Sequence, residues 1–357
     1  YMLAAPLRTY YIRYPPGFAE FLRLKFGRAP FDPDHYLLRV AKNAYGAPDA
    51  GRVWYDTLST FLLITLAFSV SPLDRCVFVL CEIIDGIRVI CIILVYVDDL
   101  LVVGSTILKK HVIDKLKARF PLTEGGDDYL GLEIEASPGV IHVHQGTYVK
   151  KVVETNGYGD CKPACTPLTT DFTAADRDAP AGADAGAAAR LDFRHANGQV
   201  GYVAGRTLPG LLFAFGVLSC VACPSAAIPD APAPGHRAAL GRVLRYMRGT
   251  VGAGLRFAHA ATGFRLRMYV DASHGREAHH TAAGFCKSRS GGCIFASGAC
   301  VYAWSSTQQS TALSTFESEL YALVLGTRYL LALRRITTFI LNATLPTSLV
   351  FCDNQSV

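Results

Sequence analysis

Two adjacent carboxylates inside a long apolar stretch constrain this chain more than any other feature. Val89–Val95 is apolar throughout, Tyr96-Val97-Asp98-Asp99 follows, and Leu100–Val103 is apolar again before Gly104. Two β-rich runs around an acid pair read as a tight hairpin with both carboxylates at its tip. Holding two like charges there without compensation is costly. A bound divalent cation removes the problem and lowers the carboxylate pKa values. Hard oxygen ligands favour magnesium, with manganese as the alternative. An ordinary Asp-Asp turn competes with this reading. The preceding tyrosine, the strand-like flanks and the closing glycine weigh against it.

The surroundings read as mixed α and β. Gly51 to Leu63 sets Trp54, Leu58, Phe61 and Leu62 on one helical stripe. Cys76–Cys81 and Arg88–Val95 are strand-like and joined around Asp85-Gly86, a hairpin signal. Ser105 can cap a helix in which Leu108, Val112, Leu116 and Phe120 recur every fourth residue. Tyr129–Glu135 and Val140–His144 suggest a second hairpin around Ser137-Pro138-Gly139.

Two low-complexity stretches divide the chain. Asp171–Asp192 is rich in Ala, Asp and Gly, and Ala226–Gly235 is rich in Pro; both read as linkers or loops. Between and beyond them lie a middle segment, 193–257, and a last segment, 264–357. In the middle segment His236–Gly249 predicts a helix with Leu240, Val243, Leu244 and Met247 on one face. Arg237, Arg242, Arg245 and Arg248 lie mainly off it, as a solvated basic face. In the last segment Phe264–Val270 alternates as a strand ending on Asp271. Strands at Gly292–Ala296 and Val301–Trp304 and a helix over Thr315–Leu333 follow. Leu349–Cys352 then reads as a strand ending on Asp353. Asp271, Glu319 and Asp353 could converge at one sheet edge and hold two metals for phosphodiester chemistry. Acids at strand ends are frequent, so spacing alone carries this weakly.

Composition bounds the classes. The 357 residues are 51% hydrophobic and 18% charged, which excludes disorder as the main state. The net charge of +6 suits a polyanion partner without requiring one. No apolar run approaches the ~20 residues of a membrane span. The 11 cysteines are scattered through apolar segments and read as reduced thiols. Cys220-x-x-Cys223 lacks the second pair of a zinc ribbon. The start at Tyr1 and the stop just after Asp353-Asn354 read as a fragment cut at both ends.

The order of motifs resembles the polymerase and ribonuclease H portion of a copia-type LTR retrotransposon polyprotein. Pro15-Pro16-Gly17-Phe18, Lys42-Asn43-Ala44-Tyr45-Gly46 and Ala50-Gly51-Arg52-Val53-Trp54-Tyr55 precede Tyr96-Val97-Asp98-Asp99. Tyr129-Leu130-Gly131-Leu132-Glu133-Ile134, Gln145-x-x-Tyr148 and Cys161-Lys162-Pro163-x-x-x-Thr166-Pro167 follow it. Next come Val243–Thr250, Lys287–Gly292, Trp304-Ser305-Ser306-x-x-Gln309, Glu317-Ser318-Glu319 and Cys352–Ser356. There are departures: Asp49 stands where the family most often has Gln. Thr207-Leu208-Pro209-Gly210-Leu211 lacks the Arg and Asp of the corresponding family segment.

The resemblance implies an α+β fold. Residues 1–170 would be a right-hand polymerase palm with a primer-grip hairpin, its fingers largely missing. Residues 171–192 would be a linker and 193–257 a helical thumb or connection. Residues 264–357 would be an α/β ribonuclease H-like domain, truncated at its C-terminus. It implies RNA-directed DNA polymerisation with ribonuclease H activity. Asp98, Asp99, Asp271, Glu319 and Asp353 would be the catalytic, metal-holding acids, with Mg2+ in two-metal sites and Mn2+ as the alternative. Tyr96, Arg52, Leu130, Gly131, Arg242, Arg245 and Arg248 would meet nucleic acid. The partners would be an RNA template, a DNA primer, an RNA–DNA hybrid, deoxynucleotides and other parts of the same polyprotein, with no membrane. The setting would be a cytoplasmic virus-like particle or the nucleus. Leu3-Ala4-Ala5-Pro6-Leu7 aligns with the end of a motif whose catalytic Asp would precede Tyr1, so residues 1–357 alone are expected not to polymerise. The alternative is a decayed, non-catalytic remnant that still binds nucleic acid. At the last helix, Glu319 and not Glu317 is expected to be the nuclease acid. Ser314-x-x-Glu317 is a capping-box pattern, and Phe316, Leu320 and Leu323 are expected to face the sheet.

Overall fold

A computed structural model describes residues 8–27, 35–42, 46–126, 128–170, 172, 188, 191–223, 232–259, 263–277 and 287–354. Leu3–Leu7, Asn43–Tyr45, Gln355-Ser356 and most of the two low-complexity stretches lie outside these residues. The chain forms two compact units, Tyr1–Thr123 with Phe339–Asn342, and Glu124–Thr338 with Ala343–Val357. The division at 123/124 puts the Tyr129–His144 hairpin with the second unit, whereas the sequence groups it with the first. No helix among the described residues is long and apolar enough to cross a membrane.

In the first unit a short pair, β1 (Tyr11–Ile12) and β2 (Leu38–Arg39), accompanies helix α1 (Phe18–Phe26). Helix α2 (Ala50–Thr60) runs on into a π-helical turn at Phe61–Thr65. Strands β3 (Ser69–Val70), β4 (Val77–Ile84), β5 (Ile87–Tyr96) and β6 (Asp99–Gly104) then form one antiparallel sheet in that order. Asp85 and Gly86 both take positive φ, 51° and 78°, the geometry a two-residue hairpin turn requires. Helix α3 (Thr106–Arg119) starts at Ser105, whose Oγ accepts the Leu108 N–H at 3.4 Å. Period-two alternation on β5 buries Cys91, Ile93 and Val95. They join Leu58 of α2, Leu62 of the π-helical turn and Leu108, Val112 and Leu116 of α3 in one core.

The second unit opens with β7 (Asp128–Tyr129), β8 (Leu132–Ser137) and β9 (Val140–His144), and then helix α4 (Gly146–Thr155). Helices α5 (Phe193–Ala204), α6 (Leu212–Cys220) and α7 (Pro234–Gly249) pack with α4 around Val152, Val200, Leu218, Leu240 and Leu244. The expected linker ends earlier than 192: Leu191 is buried, and Asp192 caps α5 by accepting the His195 N–H at 3.2 Å. Helix α7 likewise starts two residues before the expected His236, with proline at its first position, where no N–H is needed. Strand β10 (Gly254–Ala258) completes an antiparallel sheet of order β10-β9-β8-β7.

A further sheet follows: β11 (Arg267–Glu277), β12 (Lys287–Ala296), β13 (Ala299–Thr307) and, after helix α8 (Thr315–Leu341), β14 (Leu349–Cys352). Its order is β13-β12-β11-β14, antiparallel except for the parallel β11–β14 pair. Three expectations are corrected here. Strand β11 does not end on Asp271; it continues to Glu277, because β12 supplies pairing partners beyond that point. Helix α8 extends eight residues past Leu333. The face of α8 turned to the sheet is Ser318, Glu319, Ala322, Gly326 and Leu330, while Phe316 and Leu320 are exposed. Bulk on the sheet explains this. A Cβ at Gly326 would lie 2.9 Å from both Met268 Sδ and the Trp304 ring, so no side chain fits at that position.

Candidate active sites

The first candidate is the β5–β6 turn. Tyr96 pairs with Asp99, leaving Val97 and Asp98 as the two turn residues, so Asp98 sits at the tip and Asp99 opens β6. Both acids are exposed. Val97 has φ of 55°, a conformation that a β-branched residue adopts only under strain of about 1–3 kcal/mol. The indole N–H of Trp54, on α2, donates to the Val97 carbonyl at 2.5 Å. Trp54 is only 7% exposed, and its ring meets Phe120 edge-on at 5.4 Å. The fixed core of α2 and α3 thus holds the strained turn from outside the hairpin. Sequence reasoning placed Trp54 in a core stripe and missed this bond; its signal was a buried indole N–H that needs an acceptor. At the far end of β6, Gly104 has φ of 149°, and a Cβ there would collide with the Ile90 carbonyl. Arg52 pairs with Asp56 one helical turn on at 3.7 Å, with both side chains exposed.

The second candidate is at the β11–β14 edge. Parallel pairing sets Val270 opposite Cys352, so Asp271, within β11, and Asp353, the first residue past β14, follow that pair. Glu319 reaches them from α8. The Ala272 backbone and the charges of Asp271 and Asp353 act on its carboxyl, with Cys352 Sγ 4.0 Å away. Glu319 is 7% exposed. Burial, and then the charges of Asp271 and Asp353, raise its pKa above the ordinary carboxylate range; the Ala272 N–H acts against them. Ligand atoms of Glu319, Cys352 and Asp353 lie within 4.8 Å of one another. Glu317 lies outside this group. Its carboxylate accepts the Leu313 N–H at 2.6 Å and the Tyr321 hydroxyl at 2.9 Å, while Ser314 Oγ accepts the Glu317 N–H at 3.2 Å. These bonds hold its pKa below the usual range and close the first turn of α8.

Several motifs that flank the acids are cross-strand partners. Arg289, in the Lys287–Gly292 run, donates to Ser305 Oγ at 3.4 Å and Thr307 Oγ1 at 3.2 Å. Gln308, not Gln309, is the buried glutamine. Its amide donates to Ser290 Oγ and to the Ser318 carbonyl, tying β12 to the start of α8 beside Glu319. Buried Gln145 accepts from Thr207 Oγ1 at 3.0 Å, which joins two other motifs.

The expected nucleic-acid residues divide. Leu130 and Gly131 form the β7–β8 turn, with φ of 54° and 72°, and the Tyr202 hydroxyl donates to the Leu130 carbonyl at 3.1 Å. Arg206 lies over the Tyr202 ring at 4.5 Å. Tyr96 is exposed beside the first acid pair. The α7 arginines turn back onto the chain: Arg242 donates to Thr166 Oγ1, Arg245 to the Lys162 carbonyl and Arg248 to the Cys161 carbonyl, at 2.8–2.9 Å. They brace the Cys161–Thr166 segment, a role that the basic spacing did not reveal. The described cysteines are all free thiols.

Comparison with known proteins agrees in extent with the motif order. Residues 9–170 match the family model described as reverse transcriptase (RNA-dependent DNA polymerase). The chain is 31% identical over 313 residues, 87% of its length, to the retrovirus-related Pol polyprotein from transposon RE2 of Arabidopsis thaliana, and covers 19% of that protein. It is 26% identical over 351 residues, 96% of its length, to the corresponding polyprotein from transposon RE1 of the same plant, covering 21%. With the polyprotein from transposon TNT 1-94 of Nicotiana tabacum the identity is 28% over 334 residues, 90% of this chain and 23% of the relative. The chain thus spans about a fifth of the length of these curated relatives.

Proposed function

Since this chain belongs to the copia-type retrotransposon Pol polyproteins, we propose that it carries two reactions: RNA-directed DNA polymerisation at Asp98 and Asp99, and cleavage of the RNA strand of an RNA–DNA hybrid at Asp271, Glu319 and Asp353. The observation that carries the first is the acid pair on a tight, externally braced hairpin turn, within the residues that match the reverse-transcriptase model. The second is supported by the convergence of three carboxylates from positions far apart in sequence. In these terms residues 1–170 are a polymerase palm with its primer-grip hairpin, α5–α7 a thumb or connection, and the last sheet with α8 a ribonuclease H-like domain.

Both donor sets suit magnesium, with manganese as the alternative, because they are hard carboxylate oxygens. At the second site the fit goes further. Burial first, and then the charges of Asp271 and Asp353, raise the pKa of Glu319, and a cation would relieve the charge part of that penalty. When bound, such ions lower the pKa of the attacking hydroxyl or water and neutralise the leaving oxygen. The chain supplies position. Trp54 fixes the turn that presents Asp98, and Asp99 flanks it. Tyr202 fixes the Leu130-Gly131 turn, which would bear on the primer end. Gln308 fixes the start of α8, from which Glu319 projects. Tyr96 and Arg52 remain candidates for template or primer contact. Arg242, Arg245 and Arg248 act first as braces.

The test is separation of function, in protein that carries the element's own sequence ahead of Tyr1. Asp98→Asn is expected to abolish primer extension on an RNA template and to leave hybrid cleavage intact; Asp271→Asn is expected to do the reverse. Extension above a few per cent in Asp98→Asn overturns the polymerase assignment, and surviving cleavage in Asp271→Asn overturns the nuclease assignment.

A further inference from the structure

Strands β8 and β9 carry two glutamates and two histidines in register on one face, Glu133 opposite His144 and Glu135 opposite His142. Glu135 lies between the two rings: Oε2 is 3.5 Å from His142 Nδ1 and Oε1 is 3.2 Å from His144 Nε2. The ring centroids are 4.7 Å apart, and one ligand atom from each of the three residues lies within 4.8 Å of the others. Nitrogen and oxygen ligands of tetrahedral zinc stand about 2.0–2.2 Å from the metal, which sets them roughly 3.3–3.5 Å from one another. Each Glu135–histidine separation falls close to that spacing through a different carboxylate oxygen, so ligation by one oxygen needs only a rotation of the carboxylate.

We propose that Glu135, His142 and His144 form a binding site for a zinc-class divalent cation, separate from the two acid sites and independent of the polymerase and nuclease reading. The donor set is two imidazoles and one carboxylate, which suits zinc, cobalt or nickel and disfavours magnesium. The imidazoles are largely enclosed, with side chains 18% and 11% exposed, whereas Glu135 is 68% exposed, so the ion enters from the Glu135 side and keeps a position open to solvent. Strand β10 leaves room for the rings. Gly254 pairs with His144, and a Cβ there would lie 2.7 Å from His144 Cβ and 3.0 Å from His142 Nε2. Glu133 is not a ligand; Thr147 holds its carboxylate through the backbone N–H at 2.8 Å and the hydroxyl at 3.1 Å.

The site also carries a cost. His144 Nδ1 accepts the Gly146 N–H at 3.1 Å, so the neutral ring bears its proton on Nε2. Ligation through Nε2 moves that proton to Nδ1 and gives up the Gly146 hydrogen bond. The expected affinity is therefore below that of a preformed structural site.

The test uses the full chain and cobalt(II) as a spectroscopic substitute, because the chain also contains cysteines. With excess magnesium present throughout to fill the two acid sites, one cobalt per chain is expected, with visible d–d absorption, no sulfur-to-cobalt charge-transfer band, and displacement by zinc. Glu135→Gln, an exposed conservative change, is expected to weaken binding at least about tenfold, since even a residue that only orients a ligand is worth 10–100-fold. His142→Ala is expected to abolish it. Absence of the d–d band overturns the proposal, and so does a cobalt or zinc affinity unchanged in Glu135→Gln.

Discussion

Trp54→Phe separates the stability of the first unit from the placement of its acids. The substitution keeps an aromatic ring against Phe120 and removes the indole N–H that the Val97 carbonyl accepts. A lost hydrogen bond is worth about 0.5–1.5 kcal/mol net. Val97 is 47% exposed, so water can replace the donor and the loss lies toward the lower end. Trimming the larger ring from a buried site adds a comparable amount, for a total of about 2 kcal/mol. Against a fold stability of about 5–15 kcal/mol this leaves the protein folded. The effect on the turn is larger in proportion. Val97 holds a strained φ that the Trp54 bond helps maintain, and relaxation of the turn moves Asp98. A displacement of ~1 Å at a reacting centre costs ~100-fold in rate. Denaturant unfolding, primer extension and hydrogen exchange of the amides at residues 96–100 are the readouts, with Val112→Ala as a core truncation of about 2 kcal/mol away from the turn. Equal stability loss is expected in both variants, with slowed extension and faster exchange only in Trp54→Phe. If the two variants extend primers equally and exchange at residues 96–100 is unchanged, the turn sets its own geometry and the bracing role is refuted.

The remaining expectations follow from particular contacts. Glu319 has a raised folded-state pKa, so its proton stabilises the fold below the ordinary carboxylate range, and that contribution is lost as pH rises through the raised value. Without divalent ions, Glu319→Gln should match the parent in unfolding midpoint at low pH and exceed it above that window, while losing hybrid cleavage; Glu317→Gln should retain cleavage. Gly326→Val places methyl groups against Met268 and Trp304 and should lower stability by about 1–3 kcal/mol in thermal unfolding. Arg245→Gln removes the bond to the Lys162 carbonyl and should cost about 1 kcal/mol. It should leave the salt dependence of hybrid binding unchanged; a slope smaller by about one would show a phosphate contact instead.

The β5–β6 hairpin was legible in the sequence because its signals are local: apolar runs of strand length, an acid pair between them, and Asp85-Gly86 at the other turn. The capping role of Glu317 was legible for the same reason, since Ser314 and Glu317 lie three residues apart. What the sequence did not reveal depends on neighbours distant in the chain. Phe316 and Leu320 look like the core face of α8, but Met268 and Trp304 press against Gly326, so the helix turns its Ala322–Gly326 side to the sheet and leaves Phe316 and Leu320 exposed. Asp271 seemed to end its strand because polar residues follow it, yet β12 continues to pair with them. The arginines of α7 carry the spacing of a solvated face, and only the path of residues 161–166 turns them into braces. His142 and His144 read merely as alternate residues of a strand until the register set Glu135 between them.

The central claim is that divalent ions bind at two separate acid sites, the β5–β6 turn and the β11–β14 edge with α8. Replacing magnesium by iron(II) and adding peroxide and ascorbate cuts the backbone next to bound metal, and the cut positions can be read by mass spectrometry. Cuts are expected to cluster at residues 96–99 and near residues 271, 319 and 353, to fade as magnesium is added back, and to vanish at the first cluster alone in Asp98→Asn. Cuts confined to other parts of the chain, or a first cluster that persists in Asp98→Asn, would contradict it.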